Sequence, residues 1–123
     1  MRVHSTDEAT VDIGETHGIR VAEIIGSLDL TNSHVVLSRL QDAADEQPFF
    51  IVSLAECSFC DSHGLATLIA LRRQMGGRFA IVLPEDSRLR QLFRATSLDK
   101  LIHNENSPDD AVVRLTGNAT AGP

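Results

Sequence analysis

The stretch "FFIVSLAECSFCDSHGLATLIALRRQM", Phe49 to Met75, changes its periodicity partway along. Phe49 to Leu54 is a short apolar run of strand formers, the pattern of a central parallel strand covered on both faces. From Ser62 onward, Leu65, Leu68, Ile69 and Met75 fall on one helical stripe, with Arg72 and Arg73 outside it. Gly76 and Gly77 end that helix. A buried strand running into an amphipathic helix is the building unit of an α/β fold.

The same alternation extends to both sides. Upstream, "TVDI" (10–13) is a short edge strand, "GETHG" (14–18) a turn and "IRVAEII" (19–25) a second strand, which together predict a hairpin. "GSLDLTNS" (26–33) breaks the strand, and Asn32 or Ser33 can cap a helix carrying Val36, Leu37, Leu40 and Ala44. "DEQP" (45–48) stops it. Downstream, "FAIVL" (79–83) is another buried strand that Pro84 ends, and Asp86 or Ser87 can cap a helix with Leu89, Leu92, Phe93 and Thr96 on one face. "LDKLIH" (98–103) is expected to be a last short strand. "SPDDAVVRL" (107–115) opens a helix, with Pro108 in its first turn and two acids at its positive end.

The order β-β-α-β-α-β-α-β-α predicts an α/β domain. Its sheet is mainly parallel and four- to five-stranded, with an antiparallel edge strand, and about four helices pack on it. At 123 residues the chain suits one domain and is short for two. We expect that domain over 9–115, a flexible N-terminus over 1–8 and a flexible tail over 116–123.

Charge limits the function classes. With 11 basic and 17 acidic residues the net charge is −6, which argues against a general binder of nucleic-acid backbone. There is no Trp or Tyr to supply stacking platforms for single strands. The charge is also uneven: residues 72–100 carry seven Arg or Lys against three Asp or Glu, and residues 1–71 carry three against eleven. That division is either two solvated faces or a bipolar surface that steers a protein partner. No apolar run reaches the ~18 residues of a membrane span, and the N-terminus has no signal-peptide core, so the expected compartment is the cytoplasm.

Three chemistries compete at residues 57–65. Asp61, Ser62 and His63 are the residue types of a hydrolytic triad, but neighbours in sequence send their side chains in different directions. The nucleophile-elbow pattern G-x-S-x-G is absent, because Cys60 stands where its first glycine belongs. His4, His17, His34 and His103 show no metal-ligand spacing. Cys57 and Cys60 form a C-x-x-C after a strand, either a dithiol redox pair or two small apolar residues leaving the strand. Ser62 lies at a helix start beyond the C-terminal end of a parallel strand, where free N–H groups and a partial positive charge tolerate a phosphate. There, Asp61 and Ser62 are either a modification site or only an N-cap, and Gly64 keeps the first turn clear for an approaching partner.

Taken together, "GSLDLTNS", "FFIVSLAECSFCDSHGLATLIALRRQM" and "GGRFAIVLPEDSRLRQLFRATSLDKLIH" resemble the STAS domain of bacterial anti-sigma factor antagonists. The resemblance spans about Val11 to Arg114. It rests on a G-x-L-D turn (Gly26, Leu28, Asp29) followed, after an apolar strand, by Phe59, Cys60, Asp61, Ser62, Gly64 and Leu65. It implies a single STAS-like domain that is not an enzyme, needs no cofactor or metal, and acts by switching partners. The unphosphorylated form would bind an anti-sigma factor that is a serine kinase and so free the sigma factor. Phosphorylation at Ser62 would end that binding, and a metal-dependent serine/threonine phosphatase would restore it. The implied partner-binding residues are Asp29, Asn32, Asp61, His63, Gly64, Leu65 and Ser87, and a weak homodimer is left open. His63 stands where the family has a second serine or threonine, and Cys57 and Cys60 stand where it has aliphatic residues. Two other readings remain: a STAS scaffold in a transporter or stress-sensing complex whose Ser62 is never modified, and a C-x-x-C redox protein.

Overall fold

The computed structural model describes residues 10–117; the expectations for 1–8 and 118–123 lie outside the described residues. The chain runs β1 (Thr10–Thr16), β2 (Ile19–Leu28), α1 (Ser33–Ala44), β3 (Phe50–Ser53), β4 (Cys57–Cys60) and α2 (Ser62–Met75). It continues through β5 (Phe79–Val82), α3 (Leu89–Ala95), α4 (Leu98–Leu101), β6 (His103–Glu105) and α5 (Pro108–Thr116). The main sheet has the order β1-β2-β3-β5-β6, antiparallel only between β1 and β2, and β4 adds to β2. The expected α/β class and the antiparallel edge are therefore present, with six strands and five helices among the described residues.

Strand periodicity sorts the core into two layers. In β3, Phe50 and Val52 face one side and Ile51 the other; in β5, Phe79 and Ile81 oppose Ala80 and Val82 in the same way. Alternate residues of a strand point to opposite faces, so a continuously apolar strand feeds both. The larger core holds Val36 and Leu40 of α1, Leu68 and Leu71 of α2, and Phe93 of α3. The smaller core holds Ala111 and Val112 of α5. Phe50 and Phe79, register partners across β3 and β5, stack with ring centroids 6.4 Å apart.

Three segments differ from the expectations. "LDKLIH" does not form a strand throughout: Leu98–Leu101 is a short helix, and the strand starts only at His103. Leu98, Leu101 and Ile102 also stand at helical spacing, and Leu98 and Ile102 are both buried in the larger core. Short apolar runs fit either period, and here packing decided. Strand β2 does not break at Gly26 but runs on to Leu28. Its first half pairs with β3 and its second with β4, and the register shifts between Gly26 and Ser27. Helix α5 also reaches Thr116, one residue into the expected tail, and Gly117 caps it at φ 73°. Among the described residues no helix is long and apolar enough to cross a membrane.

Candidate functional site

The late pairing of β2 with β4 builds the site. Leu28 is the register partner of Cys60, so the chain leaving β2 and the chain leaving β4 emerge side by side. The first becomes the loop into α1 and the second becomes Asp61 and the start of α2. The N–H of Asp61 donates to the carbonyl of Leu28 at 3.3 Å, which holds the two exits together.

Asp61 is the N-cap of α2. Its Oδ1 accepts from the N–H of His63 at 2.9 Å and of Gly64 at 3.1 Å. Its Oδ2 accepts from the N–H of Leu30 at 3.1 Å. A cap normally serves its own helix; this one also ties the β2–α1 loop to the start of α2. Partial desolvation pushes the Asp61 carboxyl up, but the hydrogen bonds from Gly64, Leu30 and His63, with the imidazole nearby, outweigh it and hold the group below the usual carboxylate range.

The loop has its own bracing. Asp29 Oδ1 accepts from the N–H of Thr31 at 2.9 Å and from its hydroxyl at 2.6 Å. Asn32 precedes α1 without capping it through its side chain. Instead its amide oxygen accepts from the N–H of Asp29 at 3.0 Å, and its amide nitrogen donates to the carbonyl of Ser27 at 2.8 Å. Asn32 is buried, so its role is to shape the loop from beneath.

Ser62 is the first residue of α2 and is exposed, and none of the hydrogen bonds among the described residues involves its hydroxyl. His63 follows it, 50% exposed, with Nδ1 3.8 Å from Asp61 Oδ1. Gly64 and Leu65 turn inward. A Cβ on Gly64 would lie 2.4 Å from the carbonyl oxygen of Leu28 and 2.7 Å from Cys60 Sγ. The expectation that Gly64 clears the way for an outside partner is therefore corrected: the space it leaves is occupied by β2 and β4 of its own chain.

Ser87 stands apart from this corner. Its Oγ accepts from the N–H of Leu89 at 3.1 Å, as expected of a residue before α3. It lines a groove of about 300 Å³ with Ala55, Cys57, Ser58, Pro84, Asp86 and Arg88. The structure thus brings together Asp29, Asn32, Asp61, Ser62, His63, Gly64 and Leu65, and places Ser87 toward the β4 side.

Sequence reasoning missed the apolar flanks. Leu30 is 59% exposed, Val35 58% and Phe59 53%. They sit on the β2–α1 loop, the first turn of α1 and β4, the elements that form the rim. No local signal marked Leu30: it stands two residues from buried Leu28, a spacing that puts strand residues on one face, and only the end of β2 at Leu28 releases it outward.

The two cysteines are buried and free. Burial pushes the Cys57 thiol up, and burial together with Cys57, Asp61 and Asp29 pushes the Cys60 thiol to about 12. A thiolate nucleophile needs the opposite environment. Among the described residues no group of three or more His, Cys, Asp or Glu could hold a metal ion.

An open α/β sheet whose first crossover loop and central helix start are clamped by one capping aspartate, with a bare serine beside it, defines a class of domain. The chain belongs to the STAS domain family, whose model matches residues 10–111. In solved structures it is similar to an anti-sigma factor antagonist from Mycobacterium paratuberculosis, with TM-score 0.80 and 23% identity over 92% of this chain and 98% of that one. It is also similar to the anti-sigma factor antagonist SpoIIAA in its unphosphorylated form, with TM-score 0.68 and 19% identity over 89% of this chain and 98% of that one. The phosphorylated form of SpoIIAA, described as a Bacillus cell fate determinant, matches with TM-score 0.60 and 18% identity over 86% of this chain and 99% of that one. No curated protein matches the chain in sequence.

Proposed function

We propose that the protein is an anti-sigma factor antagonist that works by switching partners in the cytoplasm. In its unphosphorylated form it binds an anti-sigma factor that is a serine kinase, and thereby frees the sigma factor. Phosphorylation of Ser62 ends that binding, and a metal-dependent serine/threonine phosphatase restores it. The observation that carries the proposal is the exposed, unbonded hydroxyl of Ser62 on the first turn of α2, beside the Asp61 clamp. A kinase needs a hydroxyl that can be presented without unfolding anything, and this one is free to turn. The fold likeness to structures described as anti-sigma factor antagonists supports the same reading.

Asp29 and Asn32 shape the loop at the partner surface, His63 stands at its edge, and Leu30, Val35 and Phe59 supply apolar contact. Apolar groups at the centre of an interface and a polar rim are the usual composition of protein contacts. A phosphate on Ser62 would then be buried against a partner surface with no matching cation, at a cost of several kcal/mol.

The test is titration calorimetry of the full chain against the cognate anti-sigma kinase. Ser62→Ala should bind like the native chain and take up no phosphate from the kinase. Genuinely phosphorylated protein should bind at least about tenfold more weakly, a loss of ~1.4 kcal/mol or more, and Ser62→Asp should move the same way by a smaller amount. Equal affinity for the native, Ser62→Asp and phosphorylated forms would sink the switch.

A further inference from the structure

The parallel strands β2, β3, β5 and β6 all end along one edge of the sheet, and the corner at Ser62 occupies only part of it. Where β5 and β6 end, a cleft of about 270 Å³ is lined by Glu85, Arg90, Arg94, Asn104, Glu105 and Asn106. Open α/β sheets take their ligands in crevices outside the carboxyl ends of the strands. The charges in this crevice choose the kind of ligand.

Arg90 is half-buried, and its guanidinium is held by neutral oxygens. Nη1 donates to Asn104 Oδ1 at 3.1 Å, and Nη2 donates to Asn106 Oδ1 at 2.8 Å and to the carbonyl of Leu83. The buried Nε–H has no acceptor, and no carboxylate forms an ion pair with Arg90, among the described residues. Arg94 stands one helical turn further on, exposed, and lines the same cleft. Its side chain makes neither a hydrogen bond nor an ion pair among the described residues. Like charges four apart on a helix disfavour each other, and a charge drawn out of water costs free energy unless it is paired. Of the two carboxylates in the cleft, Glu105 is already engaged by Arg114 Nε at 3.0 Å, which leaves the exposed Glu85 against two arginines. Asn106 turns its amide oxygen to Arg90, so its amide nitrogen remains as a neutral donor.

We propose that this cleft binds a small phosphate-bearing ligand, with Arg94 and the Asn106 amide as donors and Arg90 as the fixed charge beside them. The planar fork of a guanidinium matches the oxygens of a phosphate or a carboxylate. Attraction to the surplus positive charge grows with the charge of the ligand, so a phosphate dianion gains more than a carboxylate. The volume lies just under the roughly 300–1,000 Å³ usual for ligand sites, which suits inorganic phosphate or a monoester of a few carbons and excludes a nucleotide. The site is separate from Ser62, and its occupation does not depend on partner switching.

The test is amide NMR of the full chain at neutral pH, titrated with inorganic phosphate and, separately, with glycerol 3-phosphate. Sodium chloride holds the ionic strength constant. Saturable shifts should concentrate at Glu85, Arg94 and residues 104–106, with millimolar midpoints. Arg94→Gln should weaken binding by about tenfold, as expected when one charge-assisted hydrogen bond is lost. Arg94 braces nothing in the fold, so this variant remains informative where Arg90→Gln fails to fold. Arg73→Gln, an exposed arginine of α2 outside the cleft, should titrate like the native chain. Tighter binding of the ester supports the site and marks an esterified ligand; tighter binding of inorganic phosphate supports it and marks the free ion. Shifts that do not saturate at tens of millimolar would overturn the proposal. So would an unchanged midpoint in Arg94→Gln, or an equal loss in Arg73→Gln, since either would reduce the effect to general screening of a charged surface.

Discussion

At the scale of single residues, the carboxylate of Asp61 has three structural partners on two elements. It closes the start of α2 through His63 and Gly64 and holds the loop into α1 through Leu30. Every bond it makes is to a backbone N–H, so the ionised form is favoured and its protonation midpoint lies below the usual carboxylate range. The sign of the pH dependence follows. A lowered value in the folded chain contributes stability that is fully present above the unfolded value, near 3.9, and is lost as pH falls through the folded value. Asp61→Asn should therefore melt below the native chain at pH 7, and the two should begin to converge only as pH falls below about 4, toward the lowered midpoint at which the native carboxylate takes up its proton. Thermal melts across that range give the answer, and parallel curves would remove Asp61 from this role. The sequence already showed Asp61 as a candidate cap. It did not show that the same carboxylate reaches Leu30, because that bond joins residues 31 apart.

At the scale of elements, Gly64 decides how closely α2 can approach the sheet. Its missing side chain admits the Leu28 carbonyl and Cys60 Sγ, both closer than any real Cβ contact would allow. Gly64→Ala should cost about 3 kcal/mol, since a backbone carbonyl cannot move aside as a flexible side chain can. Gly77 has nothing within 4 Å of the corresponding position. Gly77→Ala should change stability by less than about 0.5 kcal/mol. Urea unfolding of both variants compares them directly, and a Gly64→Ala chain as stable as the native one would mean that α2 is not held against β2 and β4. The elements themselves were unevenly legible. β3, β5 and α5 were readable because a buried strand is apolar throughout and a helix start carries recognisable caps. Ser107 does accept from the N–H of Asp110 at 3.1 Å, with Pro108 following it. Residues 57–60 and 98–103 were less legible. β4 exists only because the second half of β2 is vacant beyond β3, and Leu98–Leu101 coils because Leu98 and Ile102 both find the larger core.

At the scale of the molecule, the sheet separates two cores of unequal size, and the site grows from the rim of the larger one. Cys57 and Cys60 are part of that core and of β4. Their thiols are shielded and pushed up, Cys60 to about 12, so neither is poised to react. Alkylation of the native chain should show no fast phase, and its rate should rise with denaturant in step with global unfolding. Rapid labelling of either thiol in the folded chain would restore the dithiol reading of C-x-x-C. The uneven charge also takes a definite place here. The seven basic residues of 72–100 fall on α2, α3, α4 and their connections, and Arg78 and Arg90 among them are bonded to carbonyls or to Asn104 and Asn106. Part of that charge braces the fold and is not displayed to a partner.

The sequence by itself determined the α/β class, the antiparallel edge, the two buried central strands, the start of α2 at Asp61 and the bare serine beside it. Each is written in local terms: the two periodicities, a cap, a proline at a first turn. Tertiary structure alone decided that β2 would leave β3 for β4, that the two chain exits would meet, and that Gly64 would face its own sheet. It also decided that Leu30 would lie outward while Leu28 lies in the core. These outcomes depend on which distant segment fills the space beside a residue, and a pattern along the chain carries that only where one partner alone fits.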